Sequence, residues 1–384
     1  MNAPKLSCDT APTQLQNCYN SSRESQSWGQ PMTRNGLYVF AGALMFATSA
    51  LHASRTWAQT QQQIDWCNNN DNAFSVDQRI GGCTALVESG RASVQNRAAG
   101  YGNRCLAYSD KGDPDRAITD CNDAIRLNPK LAGAYVNRGK AYSDKYDFDR
   151  AIADYDQAIG LNPKSSIAYN NRCDGYLDKG DPDRALIDCN RAIRLDPKFA
   201  LAYYNRADVY RNKGDIGSAF ADYNQAIRLD PKYFQTYLAR GLLSLDAGEL
   251  PRALADIKQA SALNPKDPYT ALWLDIVNKR SQLPSGLAEA AAEIDTTKWP
   301  APVIRLYLGQ MTPEAVFAAA ADLDPFKQKS QVCEANFFNG ELALQQGRKD
   351  EATRLFGIAA EGCPKDSFQL TAANAELKAL GAQP

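Results

Sequence analysis

Three pairs of cysteines in this chain share one spacing, i to i+16: Cys67 and Cys83, Cys105 and Cys121, Cys173 and Cys189. Thiols at a repeated separation can hold a metal ion or close disulfides. A zinc site is disfavoured, because no CxxC pair occurs and the single histidine of the sequence is His52. Disulfide closure is the expected chemistry, with reduced thiols serving as small apolar residues as the alternative. Cys333 and Cys363 form a fourth candidate pair at a different spacing, and the remaining two, Cys8 and Cys18, lie close to the N-terminus. Stable disulfides point to an oxidising compartment such as a periplasm or the cell exterior.

Other chemistries find little support. The one histidine, His52, falls in an apolar stretch read below as a signal peptide, and a mature chain without histidine can assemble neither a Ser-His-Asp nor a Cys-His mechanism nor an HExxH zinc site. GxxxxGK[ST] and GxGxxG elements are absent. Lysine and arginine total 43 against 44 aspartates and glutamates, which argues against a partner bound through phosphate neutralisation, so no nucleic acid is expected. Carboxylates are plentiful but regular. Asp120, Asp154, Asp188, Asp222 and Asp256 recur at a constant interval, i to i+34. Each follows an arginine at the same i to i+16 spacing (Arg104, Arg138, Arg172, Arg206, Arg240), and together they read as a structural ladder of ion pairs. No catalytic residue, metal or cofactor is expected.

The elements that position these residues follow from the same period. Blocks beginning at residues 98, 132, 166, 200 and 234 run without a gap, each closing on LNPK or LDPK. Small and aromatic residues at three- and four-residue spacing give each block a first helix, A. Gly112, Gly180, Gly214 and Gly248 stand where helix A ends in a left-handed residue. Asp-Pro pairs such as Asp113-Pro114 and Asp181-Pro182 then cap a second helix, B. Alanine holds block positions 20 and 27 in all five copies, and tyrosine holds position 4. These small and aromatic positions, with the terminal proline, resemble the tetratricopeptide repeat. The resemblance implies an all-α fold, a TPR-type α-solenoid in which antiparallel helix hairpins build a right-handed superhelix. In the block frame Cys105 and Cys121, and Cys173 and Cys189, fall at positions 8 and 24, facing one another across a hairpin. Other blocks place a small residue against a larger one there, as in Gly139 with Tyr155 and Gly241 with Ile257.

The array has flanks on both sides. Residues 1–31 are polar and irregular and read as an extension ahead of a start at Met32. Residues 32–58 combine a basic start, an apolar run and small residues up to Ala58, as a signal peptide does, cleaved after Ala58 or Ala53. An uncleaved anchor is the alternative and would be the chain's sole tie to a membrane. Residues 59–97 suggest a degenerate hairpin. After five repeats over 98–267, residues 268–332 lose the period but keep helical segments near 271–279, 287–294 and 313–321. Residues 333–366 restore it, with Cys333 at the start of helix A and Cys363 after helix B. Residues 367–384 read as a capping helix and tail.

A partner would meet the inner face, which helix A lines. Asn103, Asn137, Asn171 and Asn205 hold position 6 and could bond a peptide backbone, or bond within the stack. Tetratricopeptide domains that clamp a C-terminal carboxylate use such an asparagine with a lysine at position 2. Here position 2 carries Ala99, Gly133, Ile167 and Leu201, so that clamp is incomplete. In the fifth repeat Leu238, Leu242 and Leu245 form an apolar strip beside Tyr204. It either receives a partner's side chains or is covered by residues 268–332, and coverage is the expectation.

WPAPVIRLYLGQMTPEAV (residues 299–316) and CEANFFNGELALQQGRKDEATRLFGIAAEGCP (residues 333–364) carry a closer resemblance. They are similar to the end of the NlpI-like periplasmic proteins, over roughly residues 268–380. Those are helical-repeat adaptors, several of them lipoproteins and homodimers, that bring cell-wall hydrolases together with a processing protease. The chain departs from them in having no lipobox cysteine after the apolar run. The resemblance implies an exported adaptor without enzymatic activity, with protein or peptide partners and a role in the cell envelope or peptidoglycan maintenance. The other expectation is an assembly protein whose solenoid mainly self-associates.

Overall fold

The computed structural model describes residues 61–68, 73–365 and 367–382, and the expectations for residues 1–58 lie outside them. Among the described residues the secondary structure is wholly helical, without strands. A helix over residues 61–68 (α1) and α2 (Val76–Glu88) precede five hairpins. These are α3 (Val94–Asp110) with α4 (Pro114–Leu127), α5 (Ala132–Ser143) with α6 (Phe148–Leu161), α7 (Ser166–Asp178) with α8 (Pro182–Leu195), α9 (Ala200–Asn212) with α10 (Ile216–Leu229), and α11 (Phe234–Asp246) with α12 (Leu250–Leu263). Then come α13 (Pro268–Arg280), α14 (Leu287–Ala291), α15 (Ala301–Tyr307), α16 (Pro313–Ala319), α17 (Pro325–Gln345), α18 (Lys349–Gly362) and α19 (Phe368–Ala379). Helix α3 thus begins one turn before the block boundary at 98.

Local chemistry sets the hairpins. Asp113, Asp147, Asp181 and Asp215 each accept the backbone N–H three residues on, at 3.1 Å, which satisfies an otherwise unpaired donor at the start of helix B. The turn before each cap needs a left-handed residue, and glycine supplies it with φ of 74–78° in repeats 1, 3, 4 and 5. Repeat 2 has Tyr146 there at φ 59°, a conformation that costs a residue with a Cβ on the order of 1 kcal/mol or more.

Across each hairpin, block positions 8 and 24 meet. A Cβ on Gly139 would stand 2.5 Å from the Tyr155 ring, and one on Gly241 would stand 2.7 Å from Ile257. Where both positions are cysteine the sulfurs are bonded. Cys105–Cys121 and Cys173–Cys189 have Cα atoms 5.4 Å apart, and Cys67–Cys83 joins α1 to α2 at 4.5 Å. Consecutive A helices also touch one another (α3 with α5, α5 with α7, α7 with α9), which puts them on the inner side of the stack.

The stretch after α12 departs from expectation in two places. Helix α17 starts at Pro325, two turns before the expected repeat start at 333, because Asp324 caps it by accepting from Phe326 and Lys327. Cys333 therefore lies within a helix rather than at its beginning, bonded to Cys363 at the end of α18 with Cα atoms 4.9 Å apart. The segment expected near 287–294 is helical only to Ala291, although Ile294 is buried. The core here is larger and more aromatic than in the repeats. Trp273, Phe337, Phe338 and Phe356 pack with neighbouring ring centroids 5.3–5.8 Å apart, enclosed by Ile276, Val303, Ile304 and Leu377.

Candidate functional site

The arginine–aspartate ladder forms in all five repeats. Arg104, Arg138, Arg172, Arg206 and Arg240 each give two hydrogen bonds to the aspartate of their own hairpin, at 2.6–2.8 Å. From the second repeat onward the same guanidinium also donates to block position 25 of the preceding repeat: Asn122, Asp156, Asn190 and Asn224. In the first repeat Arg104 reaches Thr84 of α2 instead. The guanidinium faces lie over tyrosine rings; Arg138, for example, is 5.6 Å from Tyr135 and 6.0 Å from Tyr142. Hydrogen bonding to Asp120 holds the Arg104 guanidinium above its ordinary value. All three nitrogens of each guanidinium are engaged within and between hairpins, so the ladder is structural.

The asparagines divide. Asn137 donates to the carbonyl of Gly102 at 2.9 Å and Asn205 to the side chain of Asn170 at 3.1 Å, each reaching the preceding helix A. Asn171 accepts from Asn170 at 3.4 Å, and Asn103 is half-buried on α3. Asn137 and Asn205 thus stitch neighbouring repeats together, and Asn205 is buried.

On repeats 4 and 5 the inner face is covered by the chain itself. Helix α19 packs on α11, while Leu242 is buried and Leu238 and Leu245 half-buried against the C-terminal core. The segment 268–332 shares in that cover through Trp273, Ile276 and Val303, but α19, read from the sequence as an end cap, is the helix that returns to α11. The Arg211 guanidinium lies 3.9 Å from the centroid of the Phe368 ring and donates to Thr371 Oγ1 at 3.2 Å. Asn212 donates to the Lys365 carbonyl at 2.8 Å. Beneath them Tyr223 donates to Asp208 at 2.5 Å, and Tyr204 stands 5.9 Å from Tyr223. Burial raises the Asp208 carboxyl and the Tyr204 phenol above their ordinary values.

Further along α19, Glu376 pairs with Arg280 at 2.7 Å, and Arg280 also pairs with Glu341 at 2.7 Å. Burial raises the Glu341 carboxyl against the pull of Arg280. Asp246, at the end of α11, is pushed up to about 7 by desolvation.

Two features lie beyond α19. Glu334 of α17 is buried and accepts from Trp299 Nε1 at 2.7 Å and Tyr269 OH at 3.0 Å; desolvation pushes it up to about 7. At the start of α17, Phe326 stacks on Tyr146 with centroids 4.2 Å apart and meets Phe148 edge-on at 5.7 Å. The left-handed tyrosine in the turn between α5 and α6 thus receives the start of α17.

Sequence reasoning missed Asp208, Arg211, Arg280, Glu334, Glu341, Phe368 and Glu376. A signal was present for Arg211. Block position 12 carries Ser109, Ser143, Leu177 and Leu245 elsewhere, so the charge there breaks the pattern.

Comparison with known proteins bears on the repeats. One tetratricopeptide-repeat model matches residues 104–166 and 136–198, another matches 189–221, and a TPR-repeat model matches 207–248. Residues 104–248 are therefore tetratricopeptide repeats, and the fold is a TPR solenoid. Among curated proteins none matches. Solved structures similar to this chain include TTC0263, a thermophilic TPR protein of Thermus thermophilus, at 22% identity over 46% of this chain and 98% of that one, with a TM-score of 0.43. They also include PilF of Pseudomonas aeruginosa, at 17% identity over 56% and 95%, TM-score 0.45, and MamA, at 25% over 43% and 95%, TM-score 0.36.

Proposed function

We propose that this tetratricopeptide solenoid is an exported, non-enzymatic adaptor that holds other proteins or peptides along its inner face. The observation that carries the reading is α19 itself, a helix seated against α11 and the end of α9. A surface that accommodates one helix through an aromatic ring, a hydroxyl and a carboxylate has the chemistry to hold others. Helices α3, α5 and α7 extend the same face, with Val136, Asn137 and Lys140 half-buried along it. Four cysteine pairs within bonding distance support an oxidising compartment, and the described residues include no helix long and apolar enough to cross a membrane. The resemblance of residues 268–380 to NlpI-like proteins supports a role in the cell envelope.

A photo-crosslinking side chain at Asn137, compared with one at the exposed Ile187 of α8, tests the adaptor reading in intact cells. Discrete adducts with another protein from position 137 but not from 187 are expected. Homo-oligomers as the sole adducts would overturn it in favour of self-assembly. Export is tested by alkylating native protein before and after reduction. Cysteines protected until reductant is added are expected, and free thiols throughout would remove the periplasmic placement.

A further inference from the structure

We propose that the inner face of α9 and α11 is a helix-binding groove that α19 occupies as a displaceable internal ligand. The partner that takes its place is an amphipathic helix bearing an aromatic residue for Arg211 and, about two turns on, a carboxylate for Arg280. The proposal rests on the adaptor reading and specifies which partner chemistry the site takes.

Three observations distinguish α19 from a fixed part of the core. Its contacts with α9 and α13 are mostly polar, although Phe368 also packs on the apolar cluster of Ala207, Ala239 and Leu243. The contacts to α9 are a ring against a guanidinium, a hydroxyl bond from Arg211 to Thr371 and a side-chain bond from Asn212 to the Lys365 carbonyl. The contact to α13 is the Glu376–Arg280 ion pair. Its fully buried apolar contribution is Ala372, Ala373 and Leu377, with Phe368, Leu370 and Leu380 half-buried, against four large rings where α13, α17 and α18 meet. Interfaces of this composition are the kind that form and separate.

Second, the groove beneath it holds carboxyl groups that burial disfavours, Asp208 and Asp246. Asp208 is tied to α19 through Arg211, which lies 3.6 Å from it and is itself met by Phe368 and Thr371. Third, the fold carries a separate clasp that holds α17 in place when α19 moves. Phe326 stacks on Tyr146, and the Cys333–Cys363 bond fixes α18 to α17 just before α19 begins.

The pattern a replacement helix must match is written in α19. Phe368 and Thr371 are three residues apart and both meet Arg211; Glu376 is eight residues beyond Phe368 and meets Arg280. Positions 368, 371 and 376 lie near one helix face, alongside the small Ala372.

The test uses the full chain and, as probe, a fluorescent stapled peptide covering residues 367–382. Stapling is needed because a free helix of this length is marginal in water. Wild-type protein is expected to bind the probe weakly. The Phe368→Ala variant should bind it at least tenfold more tightly, and adding Arg211→Ala should abolish the gain. Equal binding by wild type and Phe368→Ala, or no binding by a Phe368→Ala protein that keeps its helical circular dichroism, would overturn the proposal.

If Phe368→Ala fails to fold, hydrogen exchange on the wild-type chain decides. Amides of α19 should open independently of α17 and α18, and exchange of all three only as one unit would overturn the groove. Absent crosslinks from Asn137 together with tight probe binding would sink the adaptor reading and leave the groove standing. The reverse pair of results would do the opposite.

Discussion

Repeats 1 to 5 and the region after α12 both bury acidic side chains, by opposite means. In the repeats, Asp154 is met by two N–H groups of Arg138, and a fixed period places the same pair in every hairpin. In α17, Glu334 is met by the neutral donors of Trp299 and Tyr269. The first carboxylate has a cation held in geometry by two tyrosines; the second has hydrogen bonds that offset only part of the cost of desolvation. Burial alone therefore does not make an acid structural or titratable. A charged partner is not enough, since burial raises Glu341 even beside Arg280, which it shares with Glu376; in the repeats each aspartate has two nitrogens of its own arginine, placed by the period.

The largest test of this contrast is Asp154→Ala. It leaves Arg138 mostly buried with Asn122 as its remaining side-chain acceptor, and should cost about 3 kcal/mol in urea unfolding, similarly at pH 6 and pH 8. A loss under about 1 kcal/mol would show the ladder to be dispensable. Glu334→Gln is expected to act with the opposite sign and with pH dependence. The folded-state value of about 7 lies above the ordinary 4.5, so the folded protein keeps the proton longer than the unfolded chain. Stability should then decline as pH rises from about 4.5 towards 7 and level off above it. Glutamine keeps an acceptor for Trp299 and Tyr269 without that charge, so the variant should gain roughly 2 kcal/mol at pH 8 and little at pH 5. A pH-independent loss would assign Glu334 an ionised structural role instead.

Packing gives a smaller effect. Gly139→Ala drives a Cβ towards the Tyr155 ring and should cost about 1–2 kcal/mol, whereas Gly133→Ala, with open space at its Cβ, should be neutral or slightly stabilising. Smallest should be Lys145→Ala. It removes an exposed ion pair to Asp115 of the preceding repeat, one of a series with Lys111–Asp77, Lys179–Asp149 and Lys213–Asp183. A shift in melting temperature equivalent to less than about 0.5 kcal/mol is expected. A larger loss would mean that this outer series is coupled along the stack.

What was legible in the sequence was whatever the hairpin repeats locally. Gly139 against Tyr155, the caps at Asp113 and Asp181, and the cysteines at positions 8 and 24 are separated by no more than one hairpin and recur in register. The left-handed Tyr146 escaped notice because only its glycine counterparts signal such a turn. The start of α17 escaped for another reason. Asp324-Pro325 is the same cap-and-proline signal seen at Asp113-Pro114, but it lies in a stretch where the period is broken and so fell outside the block frame. Least legible was the return of α19, since Arg211 and Thr371 are 160 residues apart and no local pattern links them. The asparagines stood between these cases. Their inward position was readable, but their bonds to Gly102 and Asn170 depend on how adjacent hairpins are rotated.

The bonded cysteines also divide the chain's response to mechanical load. Each bond of the evenly spaced series closes inside one hairpin, and none of the four joins one repeat to the next within the regular array. Under tension applied at the two ends, repeats 2, 4 and 5 can each extend to their full contour, roughly 110 Å per repeat. Repeats 1 and 3 must hold back the length enclosed between their cysteines, roughly 50 Å apiece. Within the five regular repeats, stretching would therefore proceed in steps of two sizes, and a thiol reductant would convert the short steps into long ones.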